Sequence, residues 1–88
     1  MSYLIKWNPQ AFKFFGNLSE DISLRIINKL EQVKEDPFRF LKHHEGDYYK
    51  LRIGDYRALI DIDFERKILF IRIFDKRGRI YKKWTHNF

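Results

Sequence analysis

The chain has 88 residues and carries 18 Lys and Arg against 12 Asp and Glu, a formal net charge of +6 at pH 7. This length predicts a single domain, residues 1–88, whose small core draws on nine Phe, five Tyr and two Trp. Because the sequence lacks cysteine, it excludes disulfides and cysteine-based zinc sites or nucleophiles. It also lacks an apolar run of about 20 residues, which excludes a membrane-spanning helix. Since no signal peptide is evident either, we expect a cytoplasmic protein.

The N-terminal part predicts a strand and then a helix. Residues 3–7 form the strand, and Asn8 and Pro9 are typical of a helix N-cap followed by proline at the first helical position. Gly16 is expected to end this helix. Its predicted apolar stripe is Ala11, Phe12 and Phe15.

A longer second helix is predicted to begin near Ser19, whose side chain can cap it, and to end at Asp36, before Pro37. Glu20 and Asp21 in the first turn favour the positive end of the helix dipole. Apolar residues follow at spacings of three and four and predict one face packed against a sheet. These residues are Ile22, Ile26, Ile27, Leu30 and Val33.

The remainder of the chain predicts a sheet. Residues 37–46 form a polar connection in which Phe38, Phe40 and Leu41 turn inward. Short connections then predict antiparallel strands, with the last turn at residues 75–78. The strands are expected near residues 47–54, 56–63, 67–74 and 79–84. The predicted fold class is α+β, with two N-terminal helices on one face of a small antiparallel sheet and the other face open for function.

The hairpin of residues 48–57 places cations side by side. Alternation puts Lys50 and Arg52 on the open face, and the two-residue turn Gly54-Asp55 places Arg52 directly across from Arg57. Facing like charges destabilise a ladder by up to about 1 kcal/mol, so this arrangement predicts an anion bound there.

The excess positive charge lies in the second half of the chain. Residues 48–88 hold eleven Lys and Arg and five Asp and Glu, whereas residues 1–47 hold seven of each. A one-sided basic surface indicates a polyanion, most often nucleic acid; the alternative is a solvated basic face that serves solubility.

Pairing Ile60 with Ile71 keeps the apolar rows of both central strands toward the helices. The same register places Leu59 beside Arg72 and Arg57 beside Phe74, so that cations alternate with aromatic rings, including Phe70, as suits RNA. The structural alternative, which we favour for Arg72, Phe70 and Phe74, is that Arg72 pairs with Asp61 and the rings pack.

The candidate catalytic residues are Lys50, Arg57, Arg77 and Tyr81. Metal-free RNA cleavage needs a base for the 2′-hydroxyl, stabilisation of the negative phosphorane and protonation of the leaving 5′-oxygen. Lys50 lies beside Arg52 and Arg57, whose charges favour loss of its proton. The dispersed acids and the adjacent His43 and His44 predict no metal site, and no cofactor is expected. RNA-binding residues are predicted at Arg52, Arg72, Lys76, Arg79 and Lys82.

Two segments resemble the RelE/ParE toxin superfamily, especially RelE-type toxins: L-R-I-G-D-Y-R at residues 51–57 and F-D-K-R-G-R-I-Y at residues 74–81. The resemblance implies a ribosome-dependent endoribonuclease, an mRNA interferase toxin of a type II toxin–antitoxin system. Its implied partners are the ribosome, mRNA and a RelB-type antitoxin that neutralises it.

The resemblance also implies individual roles. Lys50 matches a lysine used in proton abstraction or phosphate stabilisation, and Arg57 matches an arginine that contacts the scissile phosphate. Arg77 matches one that stabilises or protonates the leaving group, and Tyr81 matches a tyrosine that stacks on or orients the substrate. The sequence departs from some relatives in carrying Tyr48 where they have a second lysine.

Two alternatives stay open. One is a ParE-like DNA gyrase poison with the same fold and no nuclease activity. The other is a catalytically inactive module that binds RNA or antitoxin.

Overall fold

The computed structural model describes residues 2–44, 46 and 48–80, and within them it confirms the α+β prediction. This part of the chain forms three helices and five strands, followed by a helical turn at residues 77–80. In chain order they are β1 (Leu4–Trp7), α1 (Pro9–Gly16), α2 (Glu20–Glu35), α3 (Pro37–Phe40), β2 (Lys42–His43), β3 (Tyr48–Ile53), β4 (Tyr56–Asp63) and β5 (Ile68–Lys76).

The strands form one sheet in the order β1-β5-β4-β3-β2. The neighbouring pairs β2–β3, β3–β4 and β4–β5 are antiparallel, as their short connections predict, whereas β1 lies parallel to β5. The three helices between β1 and β2 carry the chain from one edge of the sheet to the other. The chain then comes back strand by strand until β5 lies beside β1. No helix among the described residues is long and apolar enough to cross a membrane.

The two predicted helices form where the local signals indicate. The Asn8 side chain accepts a hydrogen bond from the Gln10 N–H at 2.9 Å, and Pro9 is the first helical residue. Ser19 occupies the N-cap position of α2, but its side chain makes no capping hydrogen bond. Both helices pack on one face of the sheet, and the residues buried in the resulting core include Ala11, Ile26, Leu30, Val33, Leu51, Ile53, Ala58, Ile60, Leu69, Ile71 and Phe74.

Several apolar side chains that the sequence assigned to the core are exposed. Phe12, Ile27 and Phe38 retain 56%, 41% and 54% of their surface. Phe14, which the predicted stripe omitted, is instead half-buried and packs on Phe74. The prediction of an inward Phe38 is wrong because residues 37–40 form the short helix α3, on which the Phe38 ring stacks against exposed Phe64.

A β-bulge changes the predicted register between the two central strands. Ile60 does lie opposite Ile71, but Leu59 pairs with Ile73 rather than Arg72. The extra residue reverses the alternation of β5 beyond this point, since a shift of one residue moves each side chain to the other face. Phe74 therefore turns to the helix face, where it is 1% exposed, and its predicted place beside Arg57 is wrong.

The predicted turn at residues 75–78 and the strand at residues 79–84 are also wrong where they can be compared. Strand β5 continues to Lys76, so that the first residues of β4 are paired on both sides, and residues 77–80 are helical. This helical turn buries Ile80, which is 3% exposed. The rest of the predicted strand lies outside the described residues.

Candidate RNA-binding and catalytic surface

The sheet face opposite the helices, here called the open face, carries the candidate site. Alternation in β3 places Lys50 and Arg52 on this face, as predicted. Arg52 lies directly across from Arg57 on β4, so the predicted facing pair of arginines is confirmed. Lys50 is a diagonal neighbour of Arg57 in the same ladder, a separation of about 7–8 Å between such positions.

Arg57 is buried, with 6% of its surface exposed, and its charge is oriented by the hairpin turn. Its Nη1 atom donates hydrogen bonds to the carbonyl oxygens of Gly54 at 2.7 Å and Tyr56 at 2.8 Å. A buried cation needs such partners because leaving water is costly. Gly54 permits this turn because its φ of 56° lies in the left-handed region. Arg57 therefore has a structural role in the turn as well as a place on the candidate site.

Asp75 is a residue of this surface that the sequence interpretation missed. The bulge places it directly across from Arg57 on the side away from Arg52, so the row across three strands reads Arg52, Arg57, Asp75. Opposite charges in facing positions stabilise a ladder. The expectation that Arg52 and Arg57 require an external anion is therefore weakened, because the chain supplies a carboxylate itself. The sequence places residue 75 in a predicted turn, so no strand partner is predicted for it. The signal that would have identified Asp75 is an acidic residue in register with Arg57.

Lys50 lies on the open face of β3, one strand from the edge of the sheet, and is half-buried. Its neighbour on β2 is Lys42, which faces it directly, and its neighbour on β4 is Leu59. Lys42 therefore adds a second cation beside Lys50, on the edge strand of the sheet. The sequence interpretation did not include Lys42 because it placed this residue in a connection rather than in a strand.

Arg77 is held beside the hairpin turn, although it is far from that turn in sequence. Its backbone N–H donates a hydrogen bond to the Asp55 carbonyl oxygen at 2.8 Å, and its side chain is exposed. Lys76, just before it, is exposed at the end of β5. The fold thus brings Arg77 to the end of the open face that holds Arg52 and Arg57. Tyr81 and Lys82 lie outside the described residues.

Arg79 and Arg72 both have acidic partners within the chain. The Arg79 Nε atom lies 3.4 Å from Asp75 Oδ1. Arg72 donates from Nε to Asp61, and its guanidinium carbon lies 5.1 Å from the centre of the Phe70 ring. The expected pairing of Arg72 with Asp61 is confirmed, and its contact with RNA stays a prediction.

A groove in the open face has a lining that includes Lys6, Tyr48, Asp61, Phe70 and Arg72. The predicted catalytic residues within the described part of the chain do not line it. The candidate site is therefore separate from this groove and lies at the end of the sheet that holds the β3–β4 turn.

No group of three or more His, Cys, Asp or Glu residues within residues 2–44, 46 and 48–80 is placed to hold a metal ion. His43 has a structural contact, since its Nε2 atom lies 2.7 Å from the Gly46 carbonyl oxygen and so carries the donated proton.

Comparison with known proteins gives one family match and several similar structures. A family model described as the ParE toxin of type II toxin–antitoxin system, parDE, matches residues 5–80. Among curated proteins no match was found.

Three solved structures illustrate the similarity in fold. A chain of the archaeal RelE–RelB complex from Pyrococcus horikoshii OT3 is 25% identical with a TM-score of 0.73, covering 90% of this chain and 99% of that one. A chain of the toxin–antitoxin complex RelBE2 from Mycobacterium tuberculosis is 22% identical with a TM-score of 0.78, covering 88% and 100%. The isolated E. coli RelE toxin is 21% identical with a TM-score of 0.72, covering 98% of both chains.

Proposed function

Because the chain belongs to the ParE toxin family of type II toxin–antitoxin systems, within the RelE/ParE superfamily, we propose that it is a ribosome-dependent endoribonuclease that cuts mRNA in the ribosomal A site without a metal ion. One observation carries this proposal. The Arg77 backbone is bonded to Asp55, in the same turn whose Gly54 carbonyl oxygen holds Arg57. Two arginines from separate segments are thereby brought to one end of the sheet, and in the proposal they contact the same phosphate.

The proposed reaction is attack by the ribose 2′-oxygen on the adjacent phosphorus. The O2′–P bond forms and the P–O5′ bond breaks, while a proton leaves the 2′-hydroxyl and another reaches the departing 5′-oxygen. Lys50 is the proposed base, and Arg57 with Arg52 stabilises the negative charge of the phosphorane. Arg77 stabilises the leaving 5′-oxygen, which takes its proton from water, and Tyr81 orients the nucleotide. Planar guanidinium groups suit this role because they donate to two phosphate oxygens at once.

The proposal requires a ribosome because of what the described residues lack. They offer no pair of carboxylates that divides acid and base roles. Most of the rate acceleration must then come from alignment of the 2′-oxygen, the phosphorus and the leaving oxygen. The high effective molarities of well-oriented intramolecular reactions show that such alignment lowers a barrier substantially. In the proposal the ribosome supplies that alignment, and Lys76, Arg79, Arg72 and Lys82 contact the RNA backbone.

A RelB-type antitoxin is the proposed protein partner. Similar chains are found in complexes named RelE–RelB and RelBE2. An antitoxin that presents acidic side chains to the open face would compete with RNA for Arg52 and Lys50 through complementary charge.

A ParE-like DNA gyrase poison is the second candidate, and the description of the matching family model favours it. The same basic face would then bind gyrase or DNA, and no cleavage of RNA would be seen. The two candidates differ in target and in product, so one set of assays separates them.

The test is primer extension on messages translated in the presence and absence of the purified chain, beside a gyrase-dependent DNA cleavage assay. Cuts in the A site that appear only with the chain support the proposal. DNA breaks that require gyrase would assign the chain to the poisons, and neither product would indicate an inactive module that binds RNA or antitoxin.

Variants sharpen the test. Arg77→Ala and Tyr81→Ala are expected to abolish cleavage and growth arrest without unfolding the chain. Arg66→Ala is the matched control, because Arg66 is an exposed arginine on the β4–β5 turn. Growth arrest by both site variants at wild-type protein levels would show that the site is assigned wrongly.

A further inference from the structure

Asp75 is a buried carboxylate within an otherwise basic surface. Its side chain is 3% exposed, and the following residues Lys76, Arg77 and Arg79 are all cationic. A buried carboxylate is costly unless charged or hydrogen-bonding groups surround it. Its charge also opposes the binding of an RNA phosphate nearby. A surface selected only to attract a polyanion would have a neutral residue here, so the position calls for a different role.

The partners of Asp75 indicate what that role is. Its Oδ1 atom accepts a hydrogen bond from the Lys76 backbone N–H at 2.6 Å and lies 3.4 Å from Arg79 Nε. The first contact fixes the carboxylate relative to the backbone of β5. The second contact holds the Arg79 guanidinium next to this fixed carboxylate, although 61% of the Arg79 side chain is exposed.

Arg79 is oriented from a second direction as well. Its guanidinium carbon lies 6.0 Å from the centre of the Phe14 ring on α1. An exposed arginine ordinarily samples many rotamers, and holding it costs entropy at the moment of binding. Contact with Asp75 through Nε leaves the rest of the exposed guanidinium available to a phosphate while its direction is already set.

We propose that Asp75 is a positioning residue, whose buried carboxylate holds Arg79 so that its exposed guanidinium is directed toward an RNA phosphate, while the same carboxylate balances the charge of the facing, buried Arg57. The proposal rests on the proposed function for its consequence in cleavage. In this proposal the Asp75 carboxylate weakens the attraction of RNA to the surface but improves the alignment of Arg79 with the phosphate. Removing the charge therefore separates binding from turnover, which a purely structural role would not do.

Asp75→Asn is the central variant, because the amide keeps the size of the side chain and an oxygen that accepts from Lys76. Glu65→Gln is the control, since Glu65 is an exposed carboxylate on the β4–β5 turn and is not among the proposed RNA contacts or their partners. Binding of a 2′-O-methyl RNA oligonucleotide is measured by fluorescence anisotropy. Cleavage is measured in single turnover on programmed ribosomes.

Loss of the Asp75 charge is expected to tighten RNA binding about two- to fivefold, whereas Glu65→Gln, farther from the site, should change it less than about twofold. Asp75→Asn should slow cleavage by on the order of tenfold to 100-fold, because a misdirected cation loses transition-state alignment. Glu65→Gln should cleave within about twofold of the wild-type rate. Equal cleavage rates for the two variants would overturn the proposal.

A second measurement is independent of nuclease activity. In ¹⁵N NMR spectra, the Arg79 Nε–H signal of the whole chain should be shifted from the position of exposed arginines and should move to it in Asp75→Asn. Arg79→Lys, a surface change that keeps the charge and removes Nε, should slow cleavage as much as Asp75→Asn, and the double variant should add little. An Arg79 signal that does not respond to Asp75→Asn, or full cleavage by Arg79→Lys, would also overturn the proposal.

These readouts separate the two levels of inference. Intact messages with the wild-type chain would overturn the proposed nuclease function, whereas the NMR signal and the binding difference would still decide whether Asp75 positions Arg79.

Discussion

Replacing Phe74 with Ala tests the bulge that turns this residue away from the open face. Phe74 is 1% exposed and lies among aromatic side chains of the helix α1 and of the sheet. Its ring centroid is 5.7 Å from that of Trp7, 5.8 Å from that of Phe14 and 5.7 Å from that of Tyr56, against which it is stacked. The substitution therefore removes the ring at the centre of an aromatic cluster.

The expected loss is a large share of the total stability. Truncating a buried Phe to Ala costs about 3–5 kcal/mol, which includes the cavity that remains. A domain of 88 residues has a free energy of unfolding of about 4–13 kcal/mol, at about 0.05–0.15 kcal/mol per residue. Phe74→Ala should therefore leave the chain marginally folded at 25 °C, and Phe74→Leu, which keeps most of the volume, should cost less than about 1.5 kcal/mol.

Urea unfolding followed by circular dichroism measures the difference, and Phe70→Ala is the matched control. Phe70 lies on the same strand, half-buried on the open face under the Arg72 guanidinium, and its loss should cost about 1 kcal/mol. With a slope of about 1 kcal/mol per molar urea, the midpoint of Phe74→Ala should fall by about 2–4 M more than that of Phe70→Ala. Equal shifts for the two variants would mean that both rings share one face, which would refute the register derived from the bulge.

Three further predictions concern the hairpin and the basic surface. Gly54→Ala should lower the free energy of unfolding by about 1–2 kcal/mol because φ is +56°, whereas Gly16→Ala, where an added Cβ meets no atom within 4 Å, should be neutral in the same denaturation assay. Arg57→Lys keeps the charge but shortens the reach to the turn carbonyl oxygens, so it should cost about 1 kcal/mol and slow RNA cleavage; unchanged stability would contradict the turn contacts. Arg52→Ala should reduce the slope of log affinity for RNA against log salt by about 1, measured by anisotropy, while Lys13→Ala on α1 should leave the slope unchanged.

The candidate site shows both the strength and the limit of reading side chains from local patterns. The facing pair of Arg52 and Arg57 was predictable, because a two-residue Gly54-Asp55 turn fixes the register of the strands that it joins. The role of Asp75 was not, because it depends on pairing between β4 and β5 after an extra residue has been inserted. One shifted residue exchanged Phe74 for Asp75 as the neighbour of Arg57, and thereby changed the chemistry of the row.

By itself the sequence determined the features that arise within a few neighbouring residues. These include the Asn8 N-cap with Pro9, the end of α2 before Pro37 and the tight β3–β4 hairpin, since each depends on backbone preferences of the residues concerned. Only the tertiary structure decided which of several equally apolar side chains reached the core, because that choice depends on which surfaces meet. The burial of Ile80 in a helical turn and the bulge within the central pair of strands are such decisions, and together they define which charges share the open face.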